Sequence, residues 1–255
     1  MKVLIIGGNG GIGTALVEHY LSSRPKTTVY ATYRTHKPHI NNAQVNWFKL
    51  DASSEADIRT LAERIPPIDI LINAIGVLQL AKDQSELGLP SNVNDAPKAS
   101  ELANPEKSVS EFDPNFFNQN LLSNTLPSIL LAKHFARHLK AKQNTYFIVL
   151  SARIGSIADN RIGGWISYRC SKAALNMAIK TISIEWKYKQ PNCCVLAFHP
   201  GTTDTNLSKQ FQKNVPEGKL FTPQYVATCL ADLIDNSSSE NTGTFYSYDG
   251  KEIPW

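Results

Sequence analysis

No apolar run in the 255 residues approaches the roughly 18–20 needed to cross a bilayer, so a membrane partner is not expected. Cysteine is scarce. Cys170, Cys193, Cys194 and Cys229 lack metal-ligand spacing, and two of them are adjacent in sequence, which predicts free thiols in a reducing compartment. Charge of one sign is not in excess: 26 Lys and Arg against 22 Asp and Glu leave +4, scattered along the chain. A nucleic-acid binder would gather its basic residues on one stripe or arm. Glycine and proline, 14 of each, are too few for a collagen-like or Pro/Gly-rich chain. With 42% hydrophobic and 19% charged residues, disorder is excluded. The N-terminus runs straight into apolar Val3–Ile6, so no signal peptide is expected. These absences predict a soluble, cytoplasmic, globular protein, organised as one domain over residues 1–255, that takes a small-molecule partner.

What is present is an alternation. Short apolar runs at Val3–Ile6, Thr28–Thr32, Val45–Leu50, Ile68–Ile72, Tyr146–Leu150, Cys194–Phe198 and Thr244–Ser247 read as strands. Most are continuous in Val, Ile and Leu, which suits strands covered on both faces. Helical patterns lie between them at Thr14–Ser22, Glu55–Arg64, Asn115–Lys140, Ile166–Tyr188 and Pro223–Ile234. Strand–helix–strand repetition predicts an α/β fold, doubly wound, with about seven mostly parallel strands flanked by helices. Leu80–Pro114 breaks the rhythm with four prolines and no period, and is expected to be a long functional loop or insertion. Residues 201–222 are expected to form a substrate lid.

The first strand opens into Gly7-Gly8-Asn9-Gly10-Gly11-Ile12-Gly13 and then a helix. Glycine lets the backbone approach a pyrophosphate, and the helix N-terminus offers unpaired N–H groups to the same anion. That placement predicts a dinucleotide site. The spacing of Gly7, Gly11 and Gly13 resembles the T-G-x-x-x-G-I-G motif of the short-chain dehydrogenase/reductase family, with Ile6 in place of the threonine. The resemblance implies a single-domain Rossmann fold and nicotinamide-dependent carbonyl/alcohol chemistry, with Gly7, Asn9, Gly10, Gly11, Ile12 and Gly13 around the cofactor.

An NAD site places Asp or Glu about 20 residues beyond such a loop. Here Tyr30–Lys37 holds no carboxylate, and Arg34 can fork onto a 2′-phosphate, so NADP(H) is expected ahead of NAD(H). Asp51, at the end of the third strand, resembles the family's adenine-binding aspartate. Asn73 and Gly76 resemble its N-N-A-G turn, with Ala74 replacing the second Asn.

Tyr168 and Lys172 are spaced i, i+4, on one helix face. A free tyrosine titrates near ~10, and a positive charge about 4 Å away contributes roughly 4 kcal/mol at an effective dielectric of 20, enough to bring it towards neutrality. The resemblance makes Tyr168 the general acid in carbonyl reduction and Lys172 the ribose ligand that tunes it, so both also count among the cofactor-binding residues. Family members carry two serines before x-x-G, the second of which holds the substrate carbonyl; here that position is Ala152. Ser151 is the preferred substitute, with Ser156 or neither as alternatives. Asn124, beside Leu126-Pro127, resembles the asparagine that anchors a proton-relay water at a helix kink, with Asn118 and Asn120 as competitors.

His199-Pro200-Gly201-Thr202-Thr203-Asp204-Thr205 resembles the family's P-G loop, implying that Pro200, Gly201, Thr203 and Thr205 meet the nicotinamide. The stretch Gly155–Arg169 and the C-terminal Asp249–Trp255 are similar to the C-factor-like/carbonyl-reductase-like branch. Several residues are given no catalytic part. His134 and His138 lack a third metal ligand, so no metal is expected. His199 is read as structural. Trp165 is read as pocket lining or packing. The expected function is NADP(H)-dependent reduction of a ketone or aldehyde. The competing readings are a nucleotide-binding regulatory protein of C-factor type and a sugar-nucleotide epimerase. A homodimer or homotetramer is expected by analogy alone.

Overall fold

The computed structural model describes residues 1–38, 40, 42–81 and 102–255. Seven strands form one wholly parallel sheet: β1 (Lys2–Ile6), β2 (Thr28–Tyr33), β3 (Val45–Lys49), β4 (Ile70–Asn73), β5 (Thr145–Leu150), β6 (Cys193–His199) and β7 (Thr244–Ser247). Their spatial order is β7-β6-β5-β4-β1-β2-β3. Chain order therefore reverses beside β1, which pairs with β2 on one side and β4 on the other. In such sheets the crevice at this reversal, beyond the carboxyl ends of the strands, is where ligands bind.

Strand side chains point alternately to the two faces, so each strand feeds two cores. Leu4, Ile6, Phe147 and Val149 pack beneath α2 (Glu55–Arg64), α4 (Leu126–Phe135) and α5 (Ile166–Lys189). Val3, Ile5, Ile148 and Leu150 face α1 (Gly11–Ser23) and α6 (Pro223–Asp235). With both faces covered, the strands have no polar side to show, which is why their sequences lack alternation.

Helix starts follow local chemistry. Ser54 caps α2 by accepting from the Asp57 N–H at 3.2 Å, and Glu55 and Asp57 sit in the first turn. Asp113 caps α3 (Pro114–Asn124), accepting from the Asn115 N–H at 2.8 Å. Thr222 caps α6 at 3.2 Å from the Tyr225 N–H. In both α3 and α6 a proline opens the first turn, where its missing N–H costs nothing.

The expected single helix Asn115–Lys140 is corrected: it is two helices, α3 and α4, parted at Thr125. Pro127 has no N–H to give to the carbonyl four residues back, so the ladder breaks there. The Thr125 hydroxyl instead donates to the Ser171 carbonyl of α5 at 2.8 Å. The helix also stops at Phe135, short of Lys140. The first helix begins three residues earlier than its pattern predicts, inside the glycine run. Of the expected Leu80–Pro114 loop, residues 82–101, with Pro90 and Pro97, lie outside the described residues. At its edges Leu80–Ala81 pairs antiparallel with Leu102–Ala103.

His134 and His138 tie α4 and the turns after it to α2. The His134 Nε2 lies 3.0 Å from Glu55 Oε1, and the His138 Nε2 lies 2.9 Å from the Ala62 carbonyl.

Phe147 is fully buried at the centre of β5 and packs on Trp186 of α5 with ring centroids 5.7 Å apart. Phe147→Ala is expected to cost about 3–5 kcal/mol, read as a lower urea midpoint with an unchanged slope.

Candidate active site

The site begins with how tightly α1 is drawn against the end of β1. The Gly10 N–H donates to the Gly7 carbonyl at 3.0 Å, closing a turn in which Gly7 has φ +79°. A Cβ on Gly13 would lie 2.0 Å from that same carbonyl oxygen, so only glycine lets the first turn of α1 sit there. The result is a helix N-terminus without a capping side chain, its N–H groups and positive dipole end directed at the crevice.

Two cavities lie along this edge and share Asn9, Gly10, Ala74, Ile75 and Gly76, forming one trough. The first, about 390 Å³, adds Gly7, Arg34 and Asp51. Asp51 is held below the usual carboxylate range first by the Ser53 hydroxyl, which donates to it at 2.6 Å, and then by the Ser53 N–H at 3.0 Å. The second, about 480 Å³, adds Gly11, Ile12, Ser151, Ala152, Tyr168, Lys172, His199, Pro200, Gly201 and Thr205. A glycine-walled cradle at a helix N-terminus, a basic residue and an acid at one end, and a buried Tyr–Lys pair at the other fit a dinucleotide with a nicotinamide head.

A third cavity, about 590 Å³ and walled mainly by apolar side chains, opens from the second and shares Ile12, Ala152, Tyr168, His199, Pro200, Gly201, Thr205 and Leu207 with it. Trp165 lines it, with Phe211 packed on the indole at a 4.9 Å centroid distance. Phe211 belongs to the 201–222 segment, where Thr202–Thr203 pairs with Leu220–Phe221 and the Ser208 hydroxyl donates to the Thr203 carbonyl at 2.5 Å.

Tyr168 and Lys172 stand on the first turns of α5, 7% and 2% exposed. Burial governs both. It pushes the Tyr168 phenol well above its ordinary range and brings the Lys172 ammonium down to about 8. The expectation that the ammonium lowers the phenol is corrected here. Nζ lies 5.9 Å from the phenol ring centroid and donates instead to the Leu150 carbonyl at 3.2 Å.

Several expected site residues sit elsewhere. Ser151 borders the trough, but its hydroxyl is buried and donates to Asn176 Oδ1 at 2.5 Å. The Ser156 hydroxyl is buried, donates to the Pro254 carbonyl and accepts from the Asp159 N–H at 3.1 Å. Neither hydroxyl is free for a substrate. Asn73 does not line the trough; its amide donates to the Ser128 hydroxyl at 2.8 Å and its Oδ1 accepts from the Ile75 N–H at 3.1 Å, fixing the turn after β4. Asn124, at the end of α3, accepts from the Val77 N–H at 2.8 Å and donates to the Val77 carbonyl at 3.0 Å and to the Ser171 hydroxyl at 3.1 Å. Thr203 lines the apolar cavity rather than the trough.

Two residues gain a place that sequence did not give them. α5 starts without a side-chain cap of its own, at Trp165 in the left-handed region (φ +55°). Glu106 supplies the missing partners: its carboxylate accepts from the Ser167 hydroxyl and, at 3.2 Å, from the Ser167 N–H, and its carbonyl accepts from the Trp165 N–H at 2.5 Å. No local pattern announces this contact, because 61 residues separate the partners. His199 ends β6 at the junction of trough and apolar cavity. Burial, then the Arg153 guanidinium, lowers its imidazole to about 4, so the ring is neutral. Its Nδ1 accepts from the Arg153 N–H at 3.2 Å, which assigns the proton to Nε2.

The model of the family described as short chain dehydrogenase matches residues 1–216. An uncharacterized oxidoreductase of Schizosaccharomyces pombe is 29% identical over 270 residues, spanning 98% of this chain and 96% of its own. The C-signal of Myxococcus xanthus is 35% identical over 106 residues, 42% of this chain and 58% of that protein. The crystal structure of NADPH-bound carbonyl reductase from chicken fatty liver is similar in fold, with TM-score 0.79, 23% identity and coverage of 100% of this chain and 94% of that one. No helix among the described residues is long and apolar enough to cross a membrane.

Lys172 binds fewer protons folded than unfolded between pH 8 and 10.5, so stability rises with pH across that window, and below it the fold bears the full cost of a buried ammonium. That cost is roughly 3 kcal/mol, offset by about 1 kcal/mol for the bond to Leu150. Lys172→Met is therefore expected to stabilise the nucleotide-free protein at pH 7 by about 2 kcal/mol in urea denaturation. The gain should shrink as pH approaches 10.

Proposed function

The chain belongs to the short-chain dehydrogenase family of oxidoreductases, and from that premise we propose that it is an NADP(H)-dependent reductase of ketones or aldehydes with Tyr168 as general acid. The observation that carries this reading is the meeting of a buried Tyr–Lys pair with the glycine-walled trough, at the mouth of an apolar cavity. Reduction of a carbonyl needs a hydride at carbon, which a reduced nicotinamide supplies when bound, and a proton at oxygen. Burial keeps the Tyr168 phenol protonated, the state in which a general acid must begin. Lys172, bonded to the Leu150 carbonyl through one N–H, has others to hold ribose hydroxyls. Asn124 stands behind it, the two side chains bordering the same spot beside Gly76. The apolar cavity takes the rest of the substrate and sheds water from it.

NADP(H) is favoured over NAD(H) by charge. Arg34 lines the far end of the trough, and β2 ends with no carboxylate to repel a 2′-phosphate or to grip a free 2′-hydroxyl. Asp51 stands beside it for the adenine. The NADPH-bound state of the chicken carbonyl reductase supports the same choice.

A second reading, nucleotide binding without turnover, is favoured by Ala152, by the inward-turned Ser151 hydroxyl and by the likeness to the C-signal. Purified protein with NADPH and a panel of aldehydes, ketones and quinones separates the two. Carbonyl-dependent loss of NADPH supports the reductase. Tight NADPH binding with no turnover, and a biological effect surviving Tyr168→Phe, supports the regulatory protein.

Tyr168→Phe is expected to lower kcat by about 10²–10⁴-fold with NADPH affinity retained, as measured by steady-state kinetics and fluorescence titration. Arg34→Ala should weaken NADPH binding by about tenfold or more and NADH binding hardly at all. Equal losses would remove the 2′-phosphate assignment.

A further inference from the structure

A carbonyl reduced at this site must lie where the trough and the apolar cavity meet, because its oxygen faces Tyr168 while its substituents fill the cavity. Among the described side chains bordering both spaces, only Tyr168, Thr205 and His199 carry an N–H or O–H. The Thr205 hydroxyl is aimed at the Thr203 carbonyl, 3.5 Å away. The serines are spent, Ser151 on Asn176 and Ser156 on Pro254. Arg153 and Arg169 border only the apolar cavity and are turned to Asp159 and to backbone carbonyls respectively.

His199 is placed differently. The backbone N–H it accepts at Nδ1 belongs to Arg153, the residue directly after Ala152, so the imidazole is fixed beside the methyl that stands in the missing serine's position. With Nδ1 occupied, the only proton is on Nε2. Among the described residues Nε2 makes no hydrogen bond, and it is not one of the buried polar atoms left without a partner, so the atom is accessible on a ring that borders both spaces. We infer that the Nε2–H of His199 donates the hydrogen bond to the substrate carbonyl oxygen that Ala152 cannot, making His199 a catalytic residue beside Tyr168. The inference rests on the reductase reading. A neutral donor suits this role, since it polarises the carbonyl without competing with Tyr168 to deliver the proton. Tyr168 gives that proton up to the oxygen as the hydride adds at carbon.

The decisive experiment compares His199→Leu, His199→Gln and the double variant Ala152→Ser/His199→Leu in the full chain. The probe is 9,10-phenanthrenequinone, whose activated carbonyls sit on a flat apolar frame suited to the cavity. The Leu variant should lose about 10²-fold or more in kcat, the usual effect of deleting one oxyanion donor, with the NADPH dissociation constant within about twofold of wild type. Gln, which keeps an N–H near the Nε2 position, should stay within about tenfold of wild type. Adding Ala152→Ser to the Leu variant should recover at least about tenfold of the loss, which a merely structural histidine would not allow. Independently of turnover, the carbonyl of ¹³C-labelled quinone bound with NADP⁺ should resonate downfield in wild type and in the Gln variant, and lose that shift in Leu. A Leu variant within about threefold of wild-type activity, or no recovery in the double variant, overturns the role of His199. Should Leu fail to fold, the Gln variant and the ¹³C shift in wild type decide the same question, and an unshifted resonance overturns the role. Wild-type protein that binds NADPH and reduces nothing overturns the reductase reading itself, a result visible before any substitution is made.

Discussion

Because all seven strands run in one direction, the last residue of every strand and the loop that follows it fall along a single edge of the sheet. That constraint gathers the glycine turn after β1, Arg34 after β2, Asp51 after β3, Ala74–Gly76 after β4, Ala152 after β5 and His199–Gly201 after β6 into one trough, although they are scattered along the chain. Tyr168 and Lys172 join them from a helix, and they do so because α5 packs against β6 and begins at this same edge. No loop has to travel to reach the site; each only has to stop.

Electrostatics at the centre is dominated by what burial withholds. A phenol and an ammonium out of water both drift towards their neutral forms, and the carbonyl of Leu150, a dipole rather than a charge, offers the ammonium only partial compensation. The fold therefore tolerates an unfavourable group at the place where a bound anion and ribose would use it. Under the reductase reading, cost to the fold and usefulness to chemistry sit in one side chain. His199 follows the same rule with the opposite consequence, since burial leaves it a fixed neutral donor instead of a titrating one.

Much of this was legible in the sequence, and for reasons that can be named. The strands of the core advertise themselves because burial on both faces demands unbroken apolar runs. The glycine turn does so because a Cβ on Gly13 has nowhere to go. Tyr168 and Lys172 share a helix face by spacing, and the glycine loop with the family resemblance singles them out. What escaped depends on contacts between distant segments. Pro127 announces the break between α3 and α4, but not the bond by which Thr125 there reaches a carbonyl of α5. The Ser151 hydroxyl turns inward because Asn176, 25 residues on, receives it. The ammonium was expected to act on the phenol, since spacing fixes which face a residue shares but not where a long side chain ends. His199, ahead of Pro200, reads as structural in sequence; the fold engages its Nδ1 with the Arg153 N–H and leaves Nε2 without a hydrogen bond among the described residues.

The buried carboxylate of Glu106 has a bearing on how this scaffold can diversify. It clasps the first turn of α5 just after the short antiparallel pair formed by Leu80–Ala81 and Leu102–Ala103. The pair closes the stretch between those strands at its base, and Glu106 just beyond it ties the chain to the very helix that bears Tyr168. Length and composition of that stretch can drift, or be replaced by a graft, without transmitting strain to Tyr168. Descendants of such a chain are then free to vary that stretch while inheriting the trough intact.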